Sequence, residues 1–457
     1  MLKEEQAMER QSFGNLNVFL FEGEEGKPVK ESKVIIRDMN GNTLSTQYTN
    51  TSGQIDKVKL PAPPKIYSID PTYEITPYSK YTVEVDAPGY QKLKFNGVQV
   101  FDGIDSVQKV QLELLRNIDE RQPVQEFNIS DNTLLGYDEP KNLEDPLQHT
   151  ITMPEGSHPY IATIIPEYLD VHLGPPNKSA PKLKVKFKDY IKNVACCEIY
   201  STWHPEAIKA IITAIISFTL NRISTEFYKP KGFHITSYTG TDHKFNKAQT
   251  IFSSIEQIVD EYFNHYISYP GMLSPYLAQY SDGKKVKRPN WLSQWGAQSL
   301  AQSGKNHIEI LKTYYGDKIT ISSTSIIKGY PPESYPGFEL KERMTDKSIK
   351  TLKGYLNVIS KNYPAMPKLN EDEVFDSETT RTVKVFQRIF HLSQNGIVDF
   401  KTWYRINDVY VSVLKLAEGR EKRKNYTPKD DYSTDYIPVI SWVPMWVPIV
   451  QYWKKRI

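Results

Sequence analysis

The first part of the chain alternates between apolar and polar residues, as half-buried β-strands do. The segments LNVFLFEG, SKVIIRD, KYTVEVDAPGY and VQKVQLEL show this period of two, and turn signals such as MNGN and NTSGQ separate them. Several short strands with Gly, Asn and Pro between them are typical of a small β-sandwich of about 100 residues. We therefore predict a β-sandwich at residues 14–115, preceded by a tail at residues 1–13.

The pattern changes after residue 115. Residues 116–164 are rich in Pro and weakly periodic, so we expect a linker that is open to proteolytic nicking. Helical spacing follows, and positions i, i+3, i+4 and i+7 of the first predicted helix are Ile191, Val194, Ala195 and Glu198. After a turn, Pro205 is well placed as the first residue of a second helix that lies inside a domain.

Further helices are predicted towards the C-terminus. SSIEQIVDEYFNHYI and SQWGAQSLAQSG with the following NHIEILKTYY are amphipathic, and residues 348–406 read as a compact unit of three helical segments. A charged run then leads to DYIPVISWVPMWVPIVQYWKKRI, in which the prolines forbid a long helix. This tail combines Trp with a basic end, as membrane-surface anchors do. Packing on the protein itself and docking to a partner are the alternatives.

The composition is that of a soluble globular protein, with 39% hydrophobic and 24% charged residues. Its 57 basic and 54 acidic residues nearly balance, which argues against nucleic acid as a partner, because nucleic-acid binders usually carry a basic excess. The N-terminus shows no apolar segment typical of a secretory signal, and the longest apolar run, from Ala210 to Phe218, is too short to span a bilayer.

The two cysteines, Cys196 and Cys197, are neighbours. Adjacent residues on a helix point in different directions, so a disulfide between them is not expected, and a metal site would need other ligands. We interpret both as small buried hydrophobic residues.

Glu198 is unusual because it falls on the apolar stripe of its predicted helix, near the helix end. Burial disfavours an ionised carboxylate, and so does the negative C-terminal end of the helix dipole. Both effects are expected to raise its pKa, as a general acid at neutral pH requires. Two simpler interpretations stay open: the side chain turns outward at a frayed helix end, or it pairs with a lysine such as Lys192.

Two motifs resemble the stage-II sporulation protein D/LytB (SpoIID/LytB) family. VACCEIYSTWHPEAIKAIITAIISFTLNRI is similar to the family's first signature, and WLSQWGAQSLAQSGKNHIEILKTYYGDKI is similar to its second. The motifs stand in the family's order, and the resemblance covers residues 165–325. Segments such as FKDYIKNVA and IISFTLNR look like the clostridial spore cortex-lytic enzymes of this family. The resemblance implies lytic transglycosylase activity on peptidoglycan, with Glu198 as the catalytic acid and base.

The same resemblance suggests residues that bind the substrate. Ser293, Gln294 and Trp295 of the second motif are candidates for binding sugar hydroxyls and stacking on a ring, although Trp295 fits core packing equally well. Tyr238 and His243 fall in the segment that forms the far wall of the family's groove.

A hydrolase would normally need a second carboxylate, for which the candidates are Asp242 and Asp282, although both fit ordinary loop residues. Asp242 is also a candidate for binding the substrate. Some relatives hold zinc with Cys and His, but the corresponding QYSDGKKVKRPNW has no cysteine. No metal and no cofactor are therefore expected.

Residues 348–406 resemble the three-helix type 1 peptidoglycan-binding domain. Lys353 stands where Gln is common, and Glu373 and Asp376 replace glycines of the usual loop. The fold is expected to survive these changes, whereas glycan binding through that loop is placed in doubt. The N-terminal sandwich resembles carboxypeptidase-regulatory and collagen-adhesin modules, which more often act as spacers or docking units than as catalysts.

The sequence as a whole predicts a multidomain α+β protein. A small β-sandwich and the linker are expected to precede a mixed α/β SpoIID-like catalytic domain at residues 165–325. A three-helix peptidoglycan-binding domain at 326–410 and a tail at 411–457 are expected to follow.

We expect a lytic transglycosylase that degrades spore cortex during germination, located in the spore or cell wall. Its expected partners are peptidoglycan glycan strands, an activating protease if the N-terminal region must be cleaved, and a membrane surface or protein at the tail. A non-catalytic peptidoglycan-binding or structural spore protein that keeps the fold is the alternative.

Overall fold

The computed structural model describes residues 12–115, 123–135, 163–272, 274–324, 326–328 and 335–424. Most of the predicted N-terminal tail and linker, and the Trp-rich end of the predicted C-terminal tail, lie outside these residues. The chain divides into two compact units, Met1–Ala417 and Glu418–Ile457. The first unit contains a β-sandwich, a mixed α/β central region and a helical region, so the chain is a multidomain mixed α/β protein.

The N-terminal region is a sandwich of two sheets. One sheet has the order β14 (Ile251–Phe252), β8 (Asp105–Gln111), β1 (Ser12–Glu22) and β2 (Lys27–Pro28), and β5 (Val58–Ala62) also pairs with β1. The other sheet has the order β4 (Thr43–Tyr48), β3 (Lys33–Arg37), β6 (Ser79–Asp86), β7 (Leu93–Val100) and β9 (Gln125–Asn128). Val34 and Ile36 point into the core, which is the alternation seen in the sequence. The elements of this region are β1 (Ser12–Glu22), β2 (Lys27–Pro28), β3 (Lys33–Arg37), β4 (Thr43–Tyr48), β5 (Val58–Ala62), α1 (Ile66–Ile69), β6 (Ser79–Asp86), β7 (Leu93–Val100), β8 (Asp105–Gln111) and β9 (Gln125–Asn128).

Two strands of the sandwich come from segments where the sequence predicted none. β9 lies within the predicted linker and pairs in parallel with β7. β14 (Ile251–Phe252) comes from the central region and pairs antiparallel with β8. Both segments are too short for periodicity to identify, and each completes an edge of an existing sheet. The sandwich therefore extends past residue 115, where the sequence placed its end.

The central region is built around one long helix, α3 (Pro205–Ser224). It begins at Pro205 as predicted, and the His204 side chain accepts a hydrogen bond from the Glu206 N–H at its start. Fifteen of the 20 residues of α3 are buried, and carbonyls one turn earlier accept hydrogen bonds from the hydroxyls of Thr213, Ser217 and Thr219. Among the described residues α3 is long and apolar enough to cross a membrane, and here it is the core helix of this region.

The other elements of the central region surround α3. Four helices are α2 (Phe187–Glu198), α4 (Ser253–Tyr262), α5 (Gln294–Gln302) and α6 (His307–Tyr315). The short strands are β10 (Ile165–Pro166), β11 (Tyr168–His172), β12 (Lys182–Lys186), β13 (Ile235–Thr236), β15 (His265–Ser268), β16 (Tyr280–Ser281), β17 (Leu292–Ser293), β18 (Thr320–Ser323) and β19 (Ile327–Lys328). β15 corrects the sequence prediction, which had continued helix α4 through these residues.

The helical region consists of α7 (Lys347–Ser360), α8 (Ser377–Ile389) and α9 (Phe400–Lys424). Asp346 and Asp376 cap the first two helices, each accepting a hydrogen bond from a backbone N–H of the first turn. α9 runs past residue 410, where the sequence predicted a tail to begin. The buried Val409 and Val413 continue its apolar stripe across the predicted boundary.

A buried cluster of charged side chains joins the three regions. We call it the charge cluster, and its members are Glu25 and Lys109 of the sandwich, Lys188, Lys192, Glu256 and Asp260 of the central region, and Arg405 and Asp408 of α9. Lys109 Nζ lies 3.1 Å from Glu25 Oε1 and 2.9 Å from Glu256 Oε1. Arg405 pairs with the other oxygen of Glu25. Each buried carboxylate has a cationic partner, as an interior charge requires.

Acid should weaken the charge cluster. Burial alone would raise the pKa of the Glu25 carboxyl, but Arg405 and Lys109 hold it at about 2, below its ordinary 4.5. A group whose pKa is lowered by folding contributes stability above its ordinary pKa and loses it as the pH falls. We therefore expect the unfolding free energy to fall between pH 4.5 and about 2, and Glu25→Gln to make that fall shallower. Urea unfolding at several pH values measures both slopes, and equal slopes would contradict the account.

Candidate active site

Glu198 is the last residue of α2, and only 3% of its surface is exposed. Its Oε1 accepts a hydrogen bond of 2.8 Å from the backbone N–H of Lys244. The side chain therefore points into the protein, which rules out a frayed glutamate turned outward. Lys192 is not its partner either, because Lys192 Nζ lies 3.1 Å from Glu256 and 2.9 Å from Asp260. The interpretation as a frayed glutamate is therefore wrong, and Lys192 is not the partner of Glu198.

Tyr280 contacts the same carboxylate from β16. Burial, the charge of Glu198 and a hydrogen bond to its side chain raise the pKa of Tyr280 well above the ordinary value. The phenol therefore stays protonated and can donate to Glu198. Beside it, the His243 ring stacks on Tyr280 with 5.8 Å between centroids, and His243 Nδ1 lies 3.1 Å from the hydroxyl of Tyr190. This buried set of rings supports the carboxylate from inside the protein.

Side-chain and backbone groups from two other segments donate hydrogen bonds to the carbonyls at the C-terminal end of α2. Gln294 Nε2 donates to the Glu198 carbonyl at 3.0 Å. Asn132 Nδ2 donates to the carbonyls of Cys196 and Ile199 at 3.4 and 3.2 Å, and Thr133 N–H donates to that of Cys197 at 3.0 Å. These contacts satisfy carbonyls that a helix end leaves without partners. They also place residues 132–133 directly on the helix end that carries Glu198.

The second motif places its three candidate residues differently. Gln294 is buried and holds the Glu198 backbone, as described above. Ser293 Oγ caps α5 by accepting from the Gly296 N–H at 2.9 Å. Trp295 is half-buried and packs on Trp203 and Tyr200, with centroids 5.0 and 6.0 Å apart. Trp295 thus packs on its neighbours and still keeps an exposed part.

The two candidate second carboxylates are both engaged in the structure. Asp242 is fully buried, with Oδ1 3.0 Å from Arg222 Nε and Oδ2 accepting from the Thr236 N–H at 2.9 Å. Asp282 holds its own loop by accepting hydrogen bonds from the backbone N–H groups of Lys285 and Val286. These contacts give both residues structural roles.

The predicted far wall also differs from expectation. His243 and Asp242 are fully buried, so they support the site and offer no surface to a substrate. Tyr238 is half-buried in the same loop, and its carbonyl accepts from the N–H groups of Thr241 and Asp242. Among the described residues no group of three or more His, Cys, Asp and Glu side chains is arranged to hold a metal ion. The expected absence of a metal stays a prediction.

Cys196 and Cys197 are free thiols packed in the interior beside Glu198. Burial raises the pKa of Cys196 to about 12 and that of Cys197 well above its usual value. Because the thiolate is the reactive form, both should be inert in the folded protein. We expect a thiol reagent such as Ellman's reagent to label neither below pH 9, and both after unfolding in urea. Rapid labelling of the folded chain would contradict this placement.

The altered loop of the helical region has a physical explanation. Lys353 is buried, and its Nζ lies 2.8 Å from Asp372 Oδ1 and 3.5 Å from Asp376 Oδ2. Asp376 Oδ1 also accepts from the N–H and hydroxyl of Thr379 at 2.7 and 2.6 Å, which caps α8. Lys353 and Asp376, two of the residues that depart from the usual pattern, therefore contact each other.

Comparison with known proteins identifies this helical region. Residues 345–406 match the model of the putative peptidoglycan binding domain. The match confirms the C-terminal peptidoglycan-binding domain that the sequence predicted. It supports peptidoglycan as a partner and is consistent with association with the cell wall. No curated protein matches the chain.

Two solved structures are similar to parts of the chain. The Bacillus anthracis TIE protein is 18% identical over 23% of this chain and 18% of its own, with a TM-score of 0.18. GBS52, the minor pilin in the gram-positive pathogen Streptococcus agalactiae, is 13% identical over 25% of this chain and 49% of its own, with a TM-score of 0.17. The chain thus covers less than half of either structure, and such TM-scores support no statement about fold or function.

Sequence reasoning did not identify three contacts made at the end of α2. The Lys244 backbone N–H, the Tyr280 hydroxyl and the Asn132 amide all reach the end of α2 from distant parts of the chain. Every residue except proline has a backbone N–H, so the identity of residue 244 does not indicate that it donates this hydrogen bond. Tyr280 is one of 30 tyrosines, so only its position after α4 and before the second motif could have pointed to it.

Proposed function

We propose that this chain is a peptidoglycan lytic transglycosylase of the SpoIID/LytB type, with Glu198 as its acid and base. The observation that carries the proposal is the environment of Glu198, a nearly buried carboxylate at a helix end that accepts a hydrogen bond from the Lys244 N–H and contacts the Tyr280 hydroxyl. A carboxyl group in such a position can exchange a proton with a bound substrate once the substrate reaches it. The peptidoglycan-binding domain supports the substrate class.

A single carboxylate suffices for this reaction. Glu198 gives its proton to the oxygen that joins C1 of N-acetylmuramic acid to N-acetylglucosamine, and the C1–O bond breaks. The sugar's own C6 oxygen then bonds to C1 and returns its proton to Glu198. The products are a 1,6-anhydro end and a free 4-hydroxyl, with no water consumed. Hydrolysis would normally need a second carboxylate, and Asp242 and Asp282 are held by other partners.

The test is digestion of purified spore cortex and of vegetative walls, followed by mass spectrometry of the released fragments. The proposal predicts anhydro-muropeptides, and cleavage of cortex would support a role in spore germination. Products with reducing ends would show a hydrolase instead. Sedimentation with walls but no release, even after removal of the N-terminal region, would show a non-catalytic peptidoglycan-binding protein.

Because Glu198 is nearly buried, a glycan strand can reach it only if the site opens. We propose that the N-terminal region limits access, because Asn132 and Thr133 lie on the end of α2 and Trp203 Nε1 donates to the Ser68 carbonyl at 2.7 Å. We call these N-terminal segments, which include Ser68, Asn132 and Thr133, the cover. Cleavage by an activating protease would remove the cover. Such a protease would act in the spore or wall, where the substrate lies.

Asn132→Ala should therefore increase wall cleavage by the intact chain. The change removes the hydrogen bonds to the Cys196 and Ile199 carbonyls and loosens the cover without touching Glu198. Initial rates of fragment release measure the effect, and Asn370→Ala, in an exposed loop of the helical region, is the control. A rate that stays unchanged or falls while the fold is kept would show that this segment does not limit access.

A further inference from the structure

A polar cleft of about 280 Å³ opens where the three regions meet. Its walls include Asn17, Gln54 and Ser106 of the sandwich, Gln257 of α4, and Arg388 and His391 at the end of α8. It shares no residue with the candidate active site. The cleft is therefore a separate feature, lined by four residues of the peptidoglycan-binding domain and nine residues outside it.

Two polar atoms of this cleft are buried without a protein partner. Asn17 Oδ1 and Ser106 Oγ form no hydrogen bond within the described part of the chain, and their residues are only 6% and 0% exposed. Leaving a buried polar atom without a hydrogen bond is costly, so such atoms are rare unless something else binds them. Both atoms belong to residues that line the cleft.

The opposite wall is held in a sparsely populated backbone conformation. His391 has a φ of 58°, in the left-handed region that residues other than glycine seldom adopt. Gln54 fixes this turn by donating to the Ile389 carbonyl at 2.7 Å, and its Nε2 lies 3.4 Å from His391 Nε2. Burial lowers the pKa of His391, so its ring is neutral near pH 7. Strain of this kind collects at binding sites.

The chemistry of the cleft indicates its ligand. Lys57 and Asp105 at its edge neutralise each other at 2.5 Å, and Asn15 also donates to Asp105. The groups that remain are mostly amides and hydroxyls, which match the hydroxyl and acetamido groups of a neutral amino sugar. A strongly charged ligand would meet few opposite charges here. Because one wall belongs to the peptidoglycan-binding domain, we infer that the sugar is part of a peptidoglycan strand.

We propose that this cleft is a second glycan subsite, which holds an N-acetylated sugar of a peptidoglycan strand between the sandwich and the peptidoglycan-binding domain. The inference deepens the proposed function but rests on the peptidoglycan-binding domain, not on catalysis by Glu198. In the loop through which this domain type usually binds glycan, Asp372 and Asp376 are already engaged, by Lys353 and by the cap of α8.

The test is binding of triacetylchitotriose, a glycan without peptide, to the full chain carrying Glu198→Gln, measured by calorimetry. Adding Ser106→Ala and Arg388→Ala should weaken binding at least about tenfold, or about 1.4 kcal/mol. Ser106→Ala alone should weaken binding while leaving the melting temperature unchanged or higher, because it removes an unsatisfied hydroxyl. A merely structural serine would not give this combination. Lys350→Ala, an exposed charge on α7, should bind as the parent does.

Three results would overturn the inference. The first is an affinity for triacetylchitotriose that the double change leaves unaltered. The second is loss of binding in Glu373→Ala, which lies in the usual loop, with the cleft variants unaffected. The third is binding of a peptidoglycan stem peptide at the cleft with no binding of the glycan. None depends on turnover, so a failure of catalysis and a failure of this subsite are separable.

Discussion

Replacing Glu198 by glutamine should lower the rate of anhydro-muropeptide release by about 10²- to 10⁴-fold, the usual contribution of a general acid or base. Glutamine keeps the shape of the side chain and can still accept from the Lys244 N–H, so the fold should be retained. It cannot give and take the proton that the reaction requires. Initial rates on purified cortex, with fragments quantified by mass spectrometry, measure the loss.

The matched control is Glu261→Gln, which removes the same charge from an exposed position on α4 and should leave the rate unchanged. Sedimentation with walls should be equal in both variants, since the peptidoglycan-binding domain is intact. Full activity of Glu198→Gln would show that another group transfers the proton, and the proposed mechanism would be wrong.

Asp242→Asn should have the largest effect on stability of any change near the site. The change leaves Arg222 buried without its carboxylate, and breaking one side of a buried ion pair costs about 3–5 kcal/mol. Urea unfolding should therefore show a free energy lower by about that amount than in the exposed control Asp317→Asn.

The same variant separates two roles of Asp242. If Asp242 only supports the fold, the activity per folded molecule should stay close to that of the parent, measured at a temperature where the variant remains folded. A variant that keeps its stability but loses activity would make Asp242 the second carboxylate of a hydrolase.

The helices near the site were predictable because their apolar residues repeat with the helical period over long stretches. α2 and α3 lie where the spacing of Ile191, Val194 and Ala195 and the position of Pro205 placed them. The burial of Glu198 also follows from its position on that stripe. Local pattern is sufficient for such elements, since each is determined by residues close together in the chain.

Features that depend on distant partners were not predictable in this way. β9 and β14 are too short to show a period, and they form only because a sheet edge is present. The charge cluster joins Glu25 to Arg405 across almost the whole chain, and no local pattern relates them. The fully buried position of Asp242 depends on Arg222, which sequence reasoning treated as part of a motif and not as a partner.

The central claim is that Glu198 catalyses an intramolecular attack by the sugar and not an attack by water. Digestion of cortex in water enriched in heavy oxygen tests this claim most directly. The account predicts anhydro-muropeptides that carry no label at their new ends, and no such products from Glu198→Gln. Labelled reducing ends formed by the wild-type chain would contradict it, because they would show that water had attacked C1.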